Sequence, residues 1–194
     1  ELNYISHPPT NSLALAVEVE GVLYISFRST GDFEDTRQNM KFSLVPLFYS
    51  SDASLKAHRG IQEKYKGLRD ELIQHIEDFQ GHEVILTGHS SGGMTAITAY
   101  VDIIQSFPYH DIRAVTFGAP RTVNRAAASL INQQKDRVIR VVMGKDAYAL
   151  IPPTILGYHH AGRLIRIGER SWWKPFSFHD HYPGYQQELE NLHH

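Results

Sequence analysis

Three features that this 194-residue chain lacks narrow the classes to which it can belong. It has no cysteine, which excludes a disulfide framework, a thiolate metal site and a cysteine nucleophile. Its formal net charge is only −2, from 19 Lys and Arg against 21 Asp and Glu. It therefore lacks the large excess of positive charge that would bind a nucleic-acid backbone. It also has no run of the roughly 18 to 20 apolar residues that span a bilayer, so we expect a soluble chain without integral membrane insertion.

The composition that remains is that of an ordinary globular protein. Apolar residues make up 42% of the chain and charged residues 21%, close to globular averages. At this length we expect one domain covering residues 1–194. The first residues contain neither an initiator Met nor a leader-like apolar run, so the sequence leaves the compartment open, as it does the oligomeric state.

Strand-like and helix-like segments alternate along most of the chain. Residues 13–28 read as two β-prone runs that meet at Glu20-Gly21, which predicts an antiparallel pair. Residues 31–56 have no sustained period and predict a long surface loop. The later segments predict helices over 61–79, 94–107 and 124–134, and strands over 83–87, 112–117, 137–143 and 164–167. This alternation predicts an α/β domain with a central, mostly parallel sheet, helices on both faces and an antiparallel N-terminal strand pair.

A serine lies in a tight turn between a predicted strand and a predicted helix. The segment Gly88-His89-Ser90-Ser91-Gly92 fits the pattern Gly-x-Ser-x-Gly, in which small residues permit a sharp turn that lifts a serine hydroxyl above a sheet. The amides from Ser91 onward open a helix, where an oxyanion is stabilised. We therefore interpret Ser90 as a nucleophile.

A serine nucleophile needs a histidine base and a carboxylate that orients the base. In α/β-hydrolases both follow the serine, in loops beyond the C-terminal ends of later strands. Asp146 has that position after the strand over 137–143, and it is the predicted acid. The other acidic candidates, interpreted as solvated surface carboxylates, are Asp102, Asp111 and Asp136.

Spacing alone does not choose the base among the histidines that follow the acid. The candidates are His159, His160, His179, His181 and the terminal pair His193-His194. So many histidines could also indicate a metal site, but the sequence contains no His-Glu-x-x-His or comparable ligand spacing. We therefore predict no metal.

From about Leu13 to Tyr185 the sequence resembles the class 3 (fungal-type) lipases, which share the α/β-hydrolase fold. The family's ordered motifs correspond to Phe27-Arg28-Ser29-Thr30, His58-Arg59-Gly60-Ile61, Gly88-His89-Ser90-Ser91-Gly92-Gly93 and Thr116-Phe117-Gly118-Ala119-Pro120-Arg121. The family's Asp ahead of a Pro-Pro pair matches Asp146 with Pro152-Pro153, and its Tyr-x-His-x-Gly matches Tyr158, His160 and Gly162. Its late Asp-His segment matches Asp180-His181.

The resemblance implies a site and an activity. It makes Ser90, Asp146 and His181 a catalytic triad and places the oxyanion donors at the backbone amides of Thr30 and Ser91, with the Thr30 hydroxyl as a further candidate donor. The implied activity is hydrolysis of a small-molecule or lipid carboxylic ester through an acyl-enzyme, with no cofactor. Phospholipase or feruloyl-type esterase activity on the same triad is an alternative. An inactive hydrolase fold used as a binding module is another, although all three triad residues are present. His58, His89 and His160 become structural, with His160 packed or hydrogen-bonded.

The sequence departs from the family at several of these motifs. Ser29 stands where the family has Gly before the oxyanion residue, Ser91 where it has Leu after the nucleophile, and Ala149 where it has Pro after the acid. The lid region, Gly31 to Lys41, contains Phe33 and Met40 as its only large apolar residues and lacks the usual Trp. We therefore expect no interfacial activation.

Overall fold

A positive-φ turn closes the N-terminal hairpin where the sequence predicts it. In the computed structural model, which describes residues 2–29, 42–144, 146–168 and 185–186, Glu20 and Gly21 have φ angles of 51° and 76°. Positive φ at both central residues is the conformation whose twist matches a two-residue hairpin. The turn joins β2 (Ser12–Val19) to β3 (Val22–Phe27), and β1 (Leu2–His7), which the sequence analysis missed, pairs antiparallel with β2.

The described strands assemble around this hairpin into a seven-stranded sheet. Parallel strands continue from β3 in the spatial order β6 (Glu83–His89), β7 (Asp111–Phe117), β9 (Val138–Met143) and β11 (Arg163–Ile167). The pairings β3–β6, β6–β7, β7–β9 and β9–β11 are all parallel. The predicted α/β class, the mostly parallel sheet and the antiparallel N-terminal pair are confirmed. The carboxyl ends of these strands therefore share one edge of the sheet.

Two long helices pack against this sheet and against each other. The helix α1 (Arg59–Asp78) buries one face, which carries Tyr65, Leu68 and Leu72, as its apolar spacing predicts. The helix α2 (Ser91–Ser106) is buried from Ser91 to Ile103 and packs beside α1, with α1 against β1 and β2 and α2 against β3, β6 and β7. No helix within the described ranges is long and apolar enough to cross a membrane.

A second, four-stranded sheet forms from segments too short for sequence periodicity to detect. Its strands are β4 (Leu44–Pro46), β5 (Lys56–His58), β8 (Val123–Asn124) and β10 (Tyr158–His159). The short helix α3 (Arg125–Asn132) follows β8, and the Asn124 side chain caps it by accepting a hydrogen bond from the Ala127 amide at 3.1 Å. The stretch predicted as a surface loop over 31–56 thus contributes β4 and part of β5, while its residues 31–41 lie outside the described ranges.

One acidic residue contradicts the sequence analysis. Asp102, interpreted there as a solvated surface carboxylate, is 2% exposed on the buried part of α2. It accepts hydrogen bonds from the Tyr65 hydroxyl at 2.7 Å, from Arg69 Nε at 2.5 Å and from the Ser106 hydroxyl at 3.2 Å. That interpretation was wrong because α1 brings a cation and a hydroxyl to the carboxylate. Asp136, by contrast, is a surface residue with a 72% exposed side chain.

Candidate active site

Ser90 occupies a strained backbone position at the carboxyl end of β6. Its φ and ψ are 52° and −121°, in a region that non-glycine residues rarely adopt. Its amide donates to the Phe117 carbonyl at 2.9 Å, and its carbonyl accepts from the Met94 amide at 3.1 Å. The strand, turn and helix expected around the Gly-x-Ser-x-Gly pattern are therefore all present.

Two glycines permit the backbone to come this close to itself. A Cβ atom at Gly88 would collide with the backbone of Gly92, and one at Gly92 would collide with the carbonyl of Phe27 at the end of β3. Small residues at both positions are therefore a steric requirement of the turn. The turn buries Ser90 to 1% exposure, and its Oγ atom has no hydrogen-bond partner among the described residues.

Asp146 lies three residues beyond β9, at the same edge of the sheet. It is 2% exposed, and its Oδ1 accepts a hydrogen bond from the Tyr148 amide at 2.9 Å. Only β7 lies between β6 and β9, and neighbouring strands are about 4.8 Å apart. The two strand ends are therefore about 10 Å apart. The sheet thus brings Ser90 and Asp146 to one edge.

Tyr185 contributes a second anchor for this carboxylate that sequence reasoning missed. Its hydroxyl donates to Asp146 Oδ2 at 2.9 Å and accepts from the Met143 amide at 2.9 Å. Its ring meets that of His89, the residue before the serine, in an edge-to-face contact at 5.4 Å. One tyrosine therefore links Asp146 to the turn that carries Ser90. A tyrosine 39 residues after the acid carries no sequence signal for this contact.

Arg121 and His160 form hydrogen bonds to backbone carbonyls of the loop that follows Asp146. Arg121 Nη1 donates to the carbonyl of Pro152 at 3.0 Å and to that of Leu150. His160 Nε2 lies 2.6 Å from the Ala149 carbonyl, and since a carbonyl only accepts, Nε2 carries the hydrogen. The prediction that His160 is a hydrogen-bonded histidine is confirmed.

Burial and two neighbouring cations keep His160 neutral. Desolvation is the larger cause, and repulsion from Arg140 and Arg121 adds to it, lowering the pKa of His160 to about 3. Its hydrogen bond to Ala149 opposes the shift without reversing it. A histidine in this state fits a fixed structural role, since it does not titrate near neutral pH.

His58, which the sequence analysis interpreted as a structural histidine, is buried. Desolvation, with a smaller repulsion from Lys64, lowers its pKa to about 4. Within the described ranges, no His, Asp and Glu side chains are grouped in a way that could hold a metal ion. The predicted base His181, the predicted oxyanion donor Thr30 and the lid region 31–41 lie outside the described residues.

Comparison with known protein families gives a match over the part of the chain that contains Ser90 and Asp146. Residues 24–155, well over half of the chain, match the family Lipase (class 3). A lipase of Rhizomucor miehei is 27% identical over 169 residues, which are 84% of this chain and 46% of that protein. A secreted mono- and diacylglycerol lipase of Malassezia globosa is 28% identical over 191 residues, which are 95% of this chain and 59% of that protein. The chain thus spans about half the length of these curated relatives.

Solved structures resemble the chain over a similar extent. A lipase from Rhizopus microsporus var. chinensis superposes with a TM-score of 0.79 at 24% identity, covering 86% of this chain and 61% of the other. A triacylglycerol lipase in which a serine protease triad forms the catalytic centre gives a TM-score of 0.75 at 25% identity, over 86% and 66%. These likenesses confirm the predicted α/β-hydrolase fold.

Proposed function

This chain belongs to the class 3 lipase family, and from that premise we propose that it hydrolyses carboxylic esters through an acyl-enzyme on Ser90. The proposed triad is Ser90, Asp146 and His181, and the proposed oxyanion donors are the backbone amides of Thr30 and Ser91. No cofactor enters this reaction. The observation that carries the proposal is the strained, buried Ser90 on the same sheet edge as an anchored Asp146.

The chemistry proceeds in two halves. His181 removes the proton of the Ser90 hydroxyl as Oγ attacks the ester carbonyl carbon, and the carbonyl oxygen becomes an oxyanion held by the two amides. Collapse of this intermediate breaks the ester C–O bond, and the leaving alcohol takes the proton from His181. Water then attacks the acyl-enzyme by the same route, which releases the carboxylic acid and restores Ser90.

The anchoring of Asp146 supports its role as the orienting carboxylate. A carboxylate that fixes a histidine tautomer must itself be held in place, and the Tyr148 amide and the Tyr185 hydroxyl both donate to it. These donors also stabilise its negative charge in a buried position. Asp146 can then stabilise the imidazolium that forms when His181 takes the proton.

The experiment that tests this function combines active-site labelling with turnover. A p-nitrophenyl alkylphosphonate should modify Ser90 and abolish hydrolysis of p-nitrophenyl butyrate in the same proportion. Peptide mapping by mass spectrometry identifies the modified residue. Label on another serine, or full labelling with unchanged turnover, would reject Ser90 as the nucleophile.

A substrate panel then distinguishes the activities that one triad can support. Mono-, di- and triacylglycerols are the first substrates to test, since relatives of this chain are named for acting on them. The panel includes a phospholipid and a feruloyl ester, with p-nitrophenyl esters of increasing chain length as a common scale. The highest kcat/KM identifies the substrate class. Binding without turnover of any ester would favour the inactive binding module.

A further inference from the structure

Two serine hydroxyls meet beside the nucleophile, at positions where this chain departs from the family motifs. Ser29 replaces the Gly of Phe-Arg-Gly-Thr/Ser, and Ser91 replaces the Leu that follows the nucleophile. Their Oγ atoms are 3.4 Å apart, although 62 residues separate them in the chain. Neither Gly nor Leu could make this contact. The two departures therefore form one interaction.

The backbone around this pair is fixed by close packing. Phe27, the last residue of β3, pairs with Gly88 of β6, and there is no room for a side chain at Gly92 beside the Phe27 carbonyl. The first turn of α2 therefore lies directly against the end of β3. Ser29, two residues beyond that end, is held within side-chain reach of Ser91.

Burial shields the contact from water. Ser91 is 3% exposed, so its hydroxyl lies almost entirely within the protein. Ser29 is half-buried, so little water competes for the pair. The separation of 3.4 Å is longer than the usual O–H···O distance of about 2.8 Å.

We propose that the Ser29–Ser91 hydroxyl pair positions the oxyanion hole, a role that rests on the esterase function proposed above. Ser91 supplies one of the two amide donors, and the peptide bond after Ser29 carries the other. Donors stabilise an oxyanion strongly only at about 2.7–3.1 Å from it, so the spacing between their two backbone segments controls the rate. The hydroxyls act through these amides and are positioning groups.

The test is a double-mutant cycle in the full chain with Ser29→Ala, Ser91→Ala and the double variant. With p-nitrophenyl butyrate, each single variant should lower kcat about 10-fold with KM unchanged within about twofold. The inhibition constant of an alkyl trifluoromethyl ketone, whose serine adduct carries an oxyanion, should rise by the same factor. The double variant should lose less than the product of the two single losses, because both substitutions remove the same Ser29–Ser91 contact.

Two further variants separate positioning from general destabilisation. Ser29→Thr keeps the hydroxyl and should retain at least about half of kcat. Ser106→Ala removes a hydroxyl bonded to Asp102 at the far end of α2 and should leave kcat and the inhibition constant unchanged. Thermal unfolding checks each variant, and if buried Ser91→Ala fails to fold, the comparison of Ser29→Ala with Ser29→Thr decides the question.

The outcomes that overturn the proposal are distinct from failure of the proposed function. Multiplicative losses in the double variant, an unchanged inhibition constant, or Ser29→Thr as slow as Ser29→Ala would each reject the positioning role. An active wild type with unaffected variants would reject only the hydroxyl pair. A wild type that hydrolyses no ester and takes no phosphonate on Ser90 would reject the esterase function itself.

Discussion

At the scale of single residues, Ser90 combines a strained backbone with a buried side-chain hydroxyl. Backbone conformations of this kind cost about 1–3 kcal/mol and persist where surrounding structure enforces them. Here the Phe117 carbonyl holds the Ser90 amide, while Gly88 and Gly92 make room for the turn. The strain therefore belongs to the backbone, and the hydroxyl can be removed without relieving it.

Ser90→Ala should lower ester hydrolysis by on the order of 10⁵-fold or more, because the proposed acyl-enzyme forms on this hydroxyl. The free energy of unfolding should change by less than about 1 kcal/mol, because the hydroxyl has no hydrogen-bond partner among the described residues. Initial rates with p-nitrophenyl butyrate and urea unfolding measure the two quantities. Turnover above a small fraction of wild type would show that Ser90 is not the nucleophile.

His181→Ala should be as damaging to turnover as loss of Ser90, since nucleophile and base act as one unit. His160→Ala should instead cost stability, about 2–3 kcal/mol, because it removes a buried ring and its hydrogen bond to Ala149. Steady-state kinetics at matched folded concentration separates the two effects. An inactive, well-folded His160→Ala beside an active His181→Ala would reverse the assignment.

At the scale of elements, α1 and α2 are joined by a buried ionic contact rather than by apolar packing alone. Asp102 on α2 accepts from Arg69 and Tyr65 on α1, and the Tyr49 hydroxyl donates to the Thr98 carbonyl of α2 at 2.6 Å. Desolvation and the nearby Asp102 charge raise the pKa of Tyr65 well above its usual value, so its hydroxyl stays a donor. The contact fixes the register of α1 against the helix that begins at Ser91.

Asp102→Ala should lower the free energy of unfolding by about 2–4 kcal/mol, because Tyr65 and Arg69 lose their partner. The loss stays below that of a fully buried ion pair, since Arg69 is 28% exposed and can turn toward water. Asp70→Ala is the matched control: Asp70 pairs with the same arginine at 3.8 Å but is 98% exposed, so it should change stability by less than about 0.5 kcal/mol. Urea unfolding compares them, and equal effects would contradict this account.

At the scale of the whole molecule, two buried histidines connect stability to pH. The pKa of His58 is lowered to about 4 and that of His160 to about 3, while both titrate near 6.5 in the unfolded chain. Between these values the unfolded state binds more protons than the folded state. Stability is therefore fully present above about pH 6.5 and falls as the pH decreases toward 4.

The pH dependence of unfolding should reflect these two groups. His58→Gln and His160→Gln should each reduce the slope of unfolding free energy against pH between 6.5 and 4, while lowering stability at pH 8. His82→Gln, at an exposed position, serves as the control and should leave the slope unchanged. Urea midpoints measured across this range provide the slopes. A wild-type slope that neither variant reduces would show that other groups control acid unfolding.

A further whole-molecule prediction concerns behaviour at a lipid surface. Interfacial activation needs an apolar flap that gains about 25 cal/mol per Å² on leaving water. The segment Gly31 to Lys41 has only Phe33 and Met40 as large apolar residues, and its charged residues are Asp32, Glu34, Asp35, Arg37 and Lys41. Removing those charges from water opposes adsorption. We therefore expect an esterase of short-chain or dispersed substrates.

Rate measured against tributyrin concentration across its solubility limit tests this expectation. The rate should follow the dissolved substrate and show no jump when the emulsion forms. A sharp rise at that point would mean that apolar residues elsewhere, such as Trp172-Trp173 or exposed Phe48, bring the enzyme to the surface.

The sequence by itself determined the features that depend on local backbone preference. Glu20-Gly21 closes a hairpin and 61–79 contains an amphipathic helix, because φ preference and a 3.6-residue period act within a few residues. The tight turn at Ser90 is equally local, since Gly88 and Gly92, which permit it, are four residues apart in the chain. Placing Asp146 after a later strand required only the rule that parallel strands end at one edge.

Only the tertiary structure decided the contacts between distant segments. Asp102 is buried because Tyr65, 37 residues earlier, packs against it, and Asp146 is anchored by Tyr185, 39 residues later. The small sheet uses strands of two and three residues, too short to show a period. The Ser29–Ser91 contact joins positions 62 residues apart. In each case packing selects the partner, and no local preference of either residue encodes it.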